Sequence, residues 1–173
     1  TFRHHMHCLL RDSGIEESSD KMKTLDSLFG MDTGGGGKRK SVISFSESEI
    51  LVRDKDIQKM SVMRTAIDRF TAASKTAALF TSCVYIGGEG KLFITFPNDQ
   101  FNEEYRALLA ACICDLDLGL MSVGGEASVG RGLVHITEVK LNGTSRTEDM
   151  KAATKGNGLM DWLEEETYEQ EMA

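Results

Sequence analysis

Four glycines and one arginine fall within nine residues, Gly124-Gly125-Glu126-Ala127-Ser128-Val129-Gly130-Arg131-Gly132. Glycine has no Cβ and enters left-handed backbone without steric cost. Successive exposed N–H groups in such a loop form a concave anion site. The arginine adds a planar fork that matches phosphate. The same composition also serves a tight connection between a helix and a strand, so the loop taken alone supports both readings.

Other residues suggest chemistry by type and spacing. On a helix, His4, His7 and Cys8 share one face at i, i+3 and i+4, a spacing that can hold zinc. No further ligand set accompanies them, so no metal or cofactor is assigned. A histidine can act as general acid or base in RNA cleavage, which keeps His4, His5 and His7 in view. The plainer reading leaves them exposed or flanking a groove. Asp68-Arg69 suits a catalytic pair, but more readily an ion pair fixing a loop. Met60 and Met63 with Val62 suit an apolar wedge or local packing. Lys38-Arg39-Lys40, beside the run Gly34 to Gly37, suits an RNA contact but reads more readily as a mobile charged loop. Trp162 and Leu163 lie among acids that repel phosphate, so they read as a docking anchor. Cys112 and Cys114 sit in an apolar helical run and read as core.

The elements that position these residues follow from periodicity. Phe2, Met6, Leu9 and Leu10 form a helical stripe over residues 1–11. Residues 12–40 are loop-rich, with a short apolar patch at Leu25, Leu28 and Phe29. Alternation at Ile43 and Phe45 predicts a strand over 41–52, with a bulge near Glu47-Ser48-Glu49. Residues 53–80 are polar and basic without a clean period, an excursion from the core. Apolar, β-branched runs at 82–86 and 91–96, joined by Gly87 to Gly90, predict a strand pair or one kinked strand. Pro97-Asn98-Asp99 is a stop. Glu103 and Glu104 favour a first helical turn, and Phe101, Tyr105, Leu108, Leu109, Cys112 and Leu116 keep helical spacing over 101–118. The run 133–141 reads as a strand closed by Asn142-Gly143. Residues 147–173 read as an acidic helix or tail whose apolar cluster is Leu159, Met160, Trp162 and Leu163.

The chain has 173 residues, enough for one domain with a sizeable core. Net charge is −7, but it is unevenly spread. Residues 148–173 hold eight acids against two lysines, whereas residues 38–75 hold nine Lys/Arg against five acids. A basic middle beside an acidic end fits an anionic partner and a separate solvated face. The four cysteines, Cys8, Cys83, Cys112 and Cys114, come without a signal peptide or membrane-length apolar run. The expectation is a reduced, cytoplasmic protein with no membrane partner. The chain opens at Thr1 inside a helical pattern, so a domain cut from a longer chain is expected. One strand placed in front gives β-α-β-β-α-β, the split βαβ arrangement. The fold class is therefore α+β: a ferredoxin-like palm with an antiparallel sheet and the helices of 1–11 and 101–118 on one face. Such a sheet is a common RNA-binding platform.

Three stretches together resemble one family. Ala66-Ile67-Asp68-Arg69-Phe70-Thr71-Ala72-Ala73-Ser74-Lys75-Thr76-Ala77-Ala78-Leu79-Phe80 is similar to its I-D-R-x-T-G/A-x-A-x-x-G/A-x-L-F segment. Gly124 to Gly132 is similar to its G-G-x-x-x-x-G-R-G signature. Phe2-Arg3-His4-His5-Met6 resembles the end of its first helix, where an arginine closes a G-x-x-x-G-x-x-R pattern. The family is the CRISPR-associated RAMP superfamily, and the nearest group is the repeated backbone subunits of type III CRISPR effector complexes. The resemblance spans residues 2–132.

It implies a RAMP ferredoxin-like domain over 1–146 with a thumb inserted at about 53–80, and 147–173 outside the family pattern. It further implies a subunit that coats the CRISPR guide RNA and presents it to target RNA, stacked with other subunits and copies of itself. By position, the RNA-binding residues it implies are Arg3, Arg69, Lys75, Gly124, Gly125, Gly130, Arg131 and Gly132. In the family's cleaving subunits an aspartate before the first helix cuts target RNA. The resemblance implies that such a segment would stand before the helix of residues 1–11, so no catalytic residue is assigned. The alternatives are a RAMP-fold endoribonuclease that processes guide RNA, and a ferredoxin-like interaction domain without nucleic acid.

Overall fold

A computed structural model describes residues 1–16, 18–32, 38–51, 58–97 and 102–156. Within these residues the chain is α+β, with four α-helices and short antiparallel strand pairs. Two compact units are present. One comprises the described parts of 1–44 and 95–173, and the other comprises 45–94.

The first unit is helical. Helix α1 spans Phe2–Asp12 and buries Phe2, Met6 and Leu10, the stripe read from the sequence, with Leu9 half-buried. Helix α2 spans Asp20–Leu28, inside the stretch expected to be loop. Ser19 caps it by accepting the Met22 N–H at 3.3 Å, and Met22, Leu25 and Leu28 line its buried face. The cap and the i, i+3 spacing were both legible, but the polar residues between them hid the period. Short strands β1 (Met31–Asp32) and β2 (Lys38–Arg39) then pair antiparallel. The run Gly34 to Gly37 lies outside the described residues.

The predicted strand over 41–52 shrinks to β3 (Ser44–Phe45). Beyond it the chain is irregular: Ser46 N–H donates to the Phe93 carbonyl at 2.9 Å, and Leu51 forms an isolated antiparallel bridge with Glu89. The excursion is regular where described. Strands β4 (Gln58–Ile67) and β5 (Ser74–Ile86) form a long antiparallel hairpin in register from Gln58↔Ile86 to Thr65↔Leu79, with a break between Thr65 and Ile67. The expected strand at 82–86 is thus the end of β5, and its neighbour is β4 rather than 91–96. Of 91–96 only β6 (Ile94–Thr95) is strand, paired with β3. Gly87 and Gly88 carry the chain out of β5 with φ +100 and +95.

Helix α3 spans Glu103–Asp117, close to the predicted 101–118; Phe101, Asn98 and Asp99 lie outside the described residues. Asn102 caps it by accepting the Tyr105 N–H at 3.1 Å. Both α1 and α4 (Thr147–Thr154) pack against α3, and α1 also packs against α2. Two covered sides explain why Cys112 and Cys114 are both buried although residues two apart face differently. Burial, with Asp115 nearby, pushes the Cys112 thiol up to about 12.

The predicted strand 133–141 is also corrected. Only β7 (Lys140–Leu141) is strand, in a hairpin with β8 (Thr144–Ser145). Upstream of it, side chains take the place of a ladder: Ile136 N–H donates to Asp117 at 2.6 Å and Val139 N–H to Thr147 Oγ1 at 3.0 Å. Of the expected acidic helix or tail over 147–173, residues Thr147–Thr154 are helix α4; residues 157–173, with Leu159, Met160, Trp162 and Leu163, lie outside the described residues. No helix among the described residues is long and apolar enough to cross a membrane.

Candidate nucleic-acid interface

The glycine loop follows α3 and closes on itself. Val123 N–H donates to the Gly132 carbonyl at 2.9 Å. Between these residues the backbone is left-handed at Gly124 (φ +84), Glu126 (φ +62), Gly130 (φ +80) and Gly132 (φ +76). A single 3₁₀ turn, Ala127–Val129, sits at its centre. The N–H groups of Gly124 and Gly125 donate to no other described residue. Two backbone donors with no acceptor among the described residues and an arginine therefore share one short loop.

Arg131 is half-buried, and its Nη1 pairs with Glu126 Oε2. Glu126 was not singled out from the sequence. Its signal was an acid between two glycine pairs, five residues before the arginine and able to fold back on it.

Arg3 stands elsewhere in the first unit. Its Nε and Nη2 donate to Asp26 Oδ1 at 3.0 and 2.6 Å, and His7 Nε2 reaches the same oxygen at 2.8 Å. Burial alone raises the Asp26 carboxyl. The hydrogen bonds from His7 and Arg3 and their charge outweigh it and hold that carboxyl below its ordinary value. His5 Nε2 meets Asp115 Oδ2 at 2.6 Å. His4 Nε2 lies 3.7 Å from Cys8 Sγ. The face shared by His4, His7 and Cys8 is thus divided, since His7 is drawn to α2. His5 and His7 are half-buried links between helices rather than exposed groove residues.

Arg69 and Lys75 lie in the second unit, at the tip of the β4–β5 hairpin and just past it. Both are exposed, and neither pairs with another described residue. Asp68 does not pair with Arg69. Its Oδ1 accepts the N–H of Phe70 at 2.9 Å and of Thr71 at 3.0 Å, closing the turn. The Thr71 and Phe70 N–H bonds hold its carboxyl below the ordinary value. Phe70 is 99% exposed at this tip, an aromatic that the turn carries away from any core. Met60 and Met63 do not form one wedge: strand alternation puts them on opposite faces, with Met63 71% exposed. Lys59 Nζ lies 5.8 Å from the Tyr85 ring centroid. The hairpin carries Lys59, Arg64, Arg69 and Lys75 against Asp68 alone, so its net charge is positive.

One histidine outside the N-terminal cluster has the geometry of an oriented imidazole. His135 Nδ1 lies 2.7 Å from Asp117 Oδ1, with the His135 ring 76% exposed and Asp117 10%. Nothing in the sequence marked this pair, because Asp117 ends a helix and His135 lies beyond the glycine loop. No family model and no curated protein matches this chain.

Proposed function

We propose that this chain is a guide-RNA-binding backbone subunit of a type III CRISPR effector complex. It coats the guide, presents it to target RNA, and assembles with other subunits and copies of itself in the cytoplasm. The observation that carries the reading is the glycine loop, where the N–H groups of Gly124 and Gly125, without an acceptor among the described residues, stand in one short loop with Arg131. Backbone amides and a guanidinium recognise phosphate without reading sequence, which is what coating a guide requires. The basic hairpin adds Arg69 and Lys75, with Phe70 as a stacking platform for a base. In this proposal the hairpin is the thumb, and the helical unit, whose strand pairs β1–β2 and β7–β8 are two residues long, takes the place of the palm.

Recovery of RNA with the protein expressed beside a CRISPR array is the direct test, with nucleotide length and sequence as the readout. RNA of uniform length carrying repeat sequence supports the reading, and its absence overturns it. In binding measurements, Arg131→Ala should weaken affinity by about 1–3 kcal/mol for any RNA sequence. The salt slope should fall by about one phosphate contact. The Arg69→Ala/Lys75→Ala double variant should act in the same direction, because both side chains are exposed and contribute little to folding.

The oriented pair His135–Asp117 favours a second reading, a RAMP-fold endoribonuclease that processes guide RNA. In such cleavage the 2′-hydroxyl attacks the adjacent phosphorus and the P–O5′ bond breaks, leaving a 2′,3′-cyclic phosphate on one product and a 5′-hydroxyl on the other, with His135 taking or giving a proton. His135→Ala would abolish that product while leaving RNA binding in place.

A further inference from the structure

We infer that Glu126 is a built-in competitor for the anion site of the glycine loop, which takes an RNA phosphate only by exchange with its own carboxylate. The inference rests on the reading of this loop as a phosphate site. Glu126 holds a left-handed backbone at φ +62, a conformation uncommon for a residue with a side chain. Its carbonyl accepts the N–H of Val129 at 3.1 Å and of Arg131 at 3.3 Å. The main chain thus folds residue 131 back towards residue 126, and the side chains complete the link through Glu126 Oε2 and Arg131 Nη1. Arg131 is 26% exposed and Glu126 53%. The cation that would meet a phosphate is therefore already offset by an acid of the same loop.

This arrangement sets what the loop accepts. A single small anion must displace the carboxylate for one contact, and gains little. An RNA strand also brings neighbouring phosphates and their contacts, so its local concentration at the loop is high and exchange is favoured. The competitor thus selects polyanions over free phosphate. An ion pair of this exposure is a weak competitor, worth about two- to fivefold in an equilibrium constant. It tunes affinity rather than blocking it, and suits a subunit that must release and re-register while assembling on RNA.

The test is the affinity of a fluorescent single-stranded RNA oligonucleotide for four proteins: wild type, Glu126→Gln, Arg131→Ala and the double variant. Glu126→Gln should bind about two- to fivefold more tightly at low salt. Its salt dependence should be steeper, because more positive charge is open to phosphate. In the Arg131→Ala background the gain should be lost. Glu126→Gly removes the carboxylate and the left-handed strain together, so it should tighten binding even if the glutamine variant folds poorly. Folded Glu126→Gln and Glu126→Gly proteins that bind RNA no better than wild type would overturn the inference. So would an equal gain in the Arg131→Ala background, which would be a general charge effect. If Arg131→Ala itself leaves RNA binding unchanged, the reading of the loop falls and the inference with it. If Arg131→Ala weakens binding but Glu126→Gln does not tighten it, the inference alone falls.

Discussion

Gly132 and Gly130 share a left-handed backbone but differ in what a methyl group would meet. A Cβ at Gly132 would collide with the Val123 carbonyl, whereas at Gly130 nothing lies within 4 Å. Gly132 therefore owes its identity to two constraints, and Gly130 to φ alone. Gly130→Ala should cost about 1–2 kcal/mol, the penalty of left-handed backbone for an L-residue. Gly132→Ala should cost more, about 2–4 kcal/mol, because the Val123–Gly132 bond that closes the loop must also give way. Urea unfolding of the two variants checks the order. Equal losses would show that the closing bond contributes nothing beyond φ. The contrast separates a glycine that holds the loop shut from one that shapes its rim.

At the scale of elements, charged pairs tie α1 to its neighbours. Arg3 and His7 hold α1 to Asp26 of α2, and His5 holds it to Asp115 of α3. By residue type Arg3 suits an RNA ligand and the histidines a metal ligand or a catalyst, and their acid partners lie on other helices, out of reach of the sequence pattern. The folded Asp26 carboxyl lies below its ordinary value. A depressed carboxyl stabilises the fold at pH above the unfolded value of about 4, and that stabilisation is lost as pH falls through the folded value. Asp26→Asn should therefore lower stability at neutral pH by on the order of 1 kcal/mol, and the gap to wild type should narrow below about pH 4. Thermal unfolding from pH 3 to 7 reads this directly. A gap that stays constant across the range would show that the Asp26 charge does not link the helices.

At the scale of the molecule, every buried hydrophobic among the described residues belongs to the helical unit, from Phe2 through Ile43 to Ala153. The hairpin unit has strand hydrogen bonds but no buried side chain among its described residues. Two-stranded ribbons without a covered face are marginally stable. Amide exchange should therefore be orders of magnitude faster in β4 and β5 than in α3, reporting local opening rather than global unfolding. Guide RNA should slow exchange in the hairpin if it contacts this unit. Equal protection in the two units of the free protein would contradict this account.

Some of this was settled by residue order alone. Helices α1 and α3 and their buried stripes follow from the spacing of Phe2, Met6 and Leu10 and of Tyr105, Leu109, Cys112 and Leu116. An amphipathic helix writes its packing face into its own period. The α+β class and the special backbone of the 124–132 loop were likewise local properties, of apolar pattern and of glycine. What residue order did not decide was who pairs with whom. The β4–β5 hairpin is not legible because its half-buried face, with Val62, Arg64 and Ala66 on β4 and Ala78, Ser82 and Val84 on β5, mixes polar and apolar residues, so the alternation in burial is not written as alternating hydropathy. The run 133–139 had strand composition, but its N–H groups at Ile136 and Val139 found Asp117 and Thr147 instead of a ladder. Arg3, His5, His7 and Arg131 read as open chemistry until folding brought Asp26, Asp115 and Glu126 within reach. A period is a property of neighbours in the chain, whereas strand partners and counter-charges depend on where distant segments meet, and only the tertiary structure determines that.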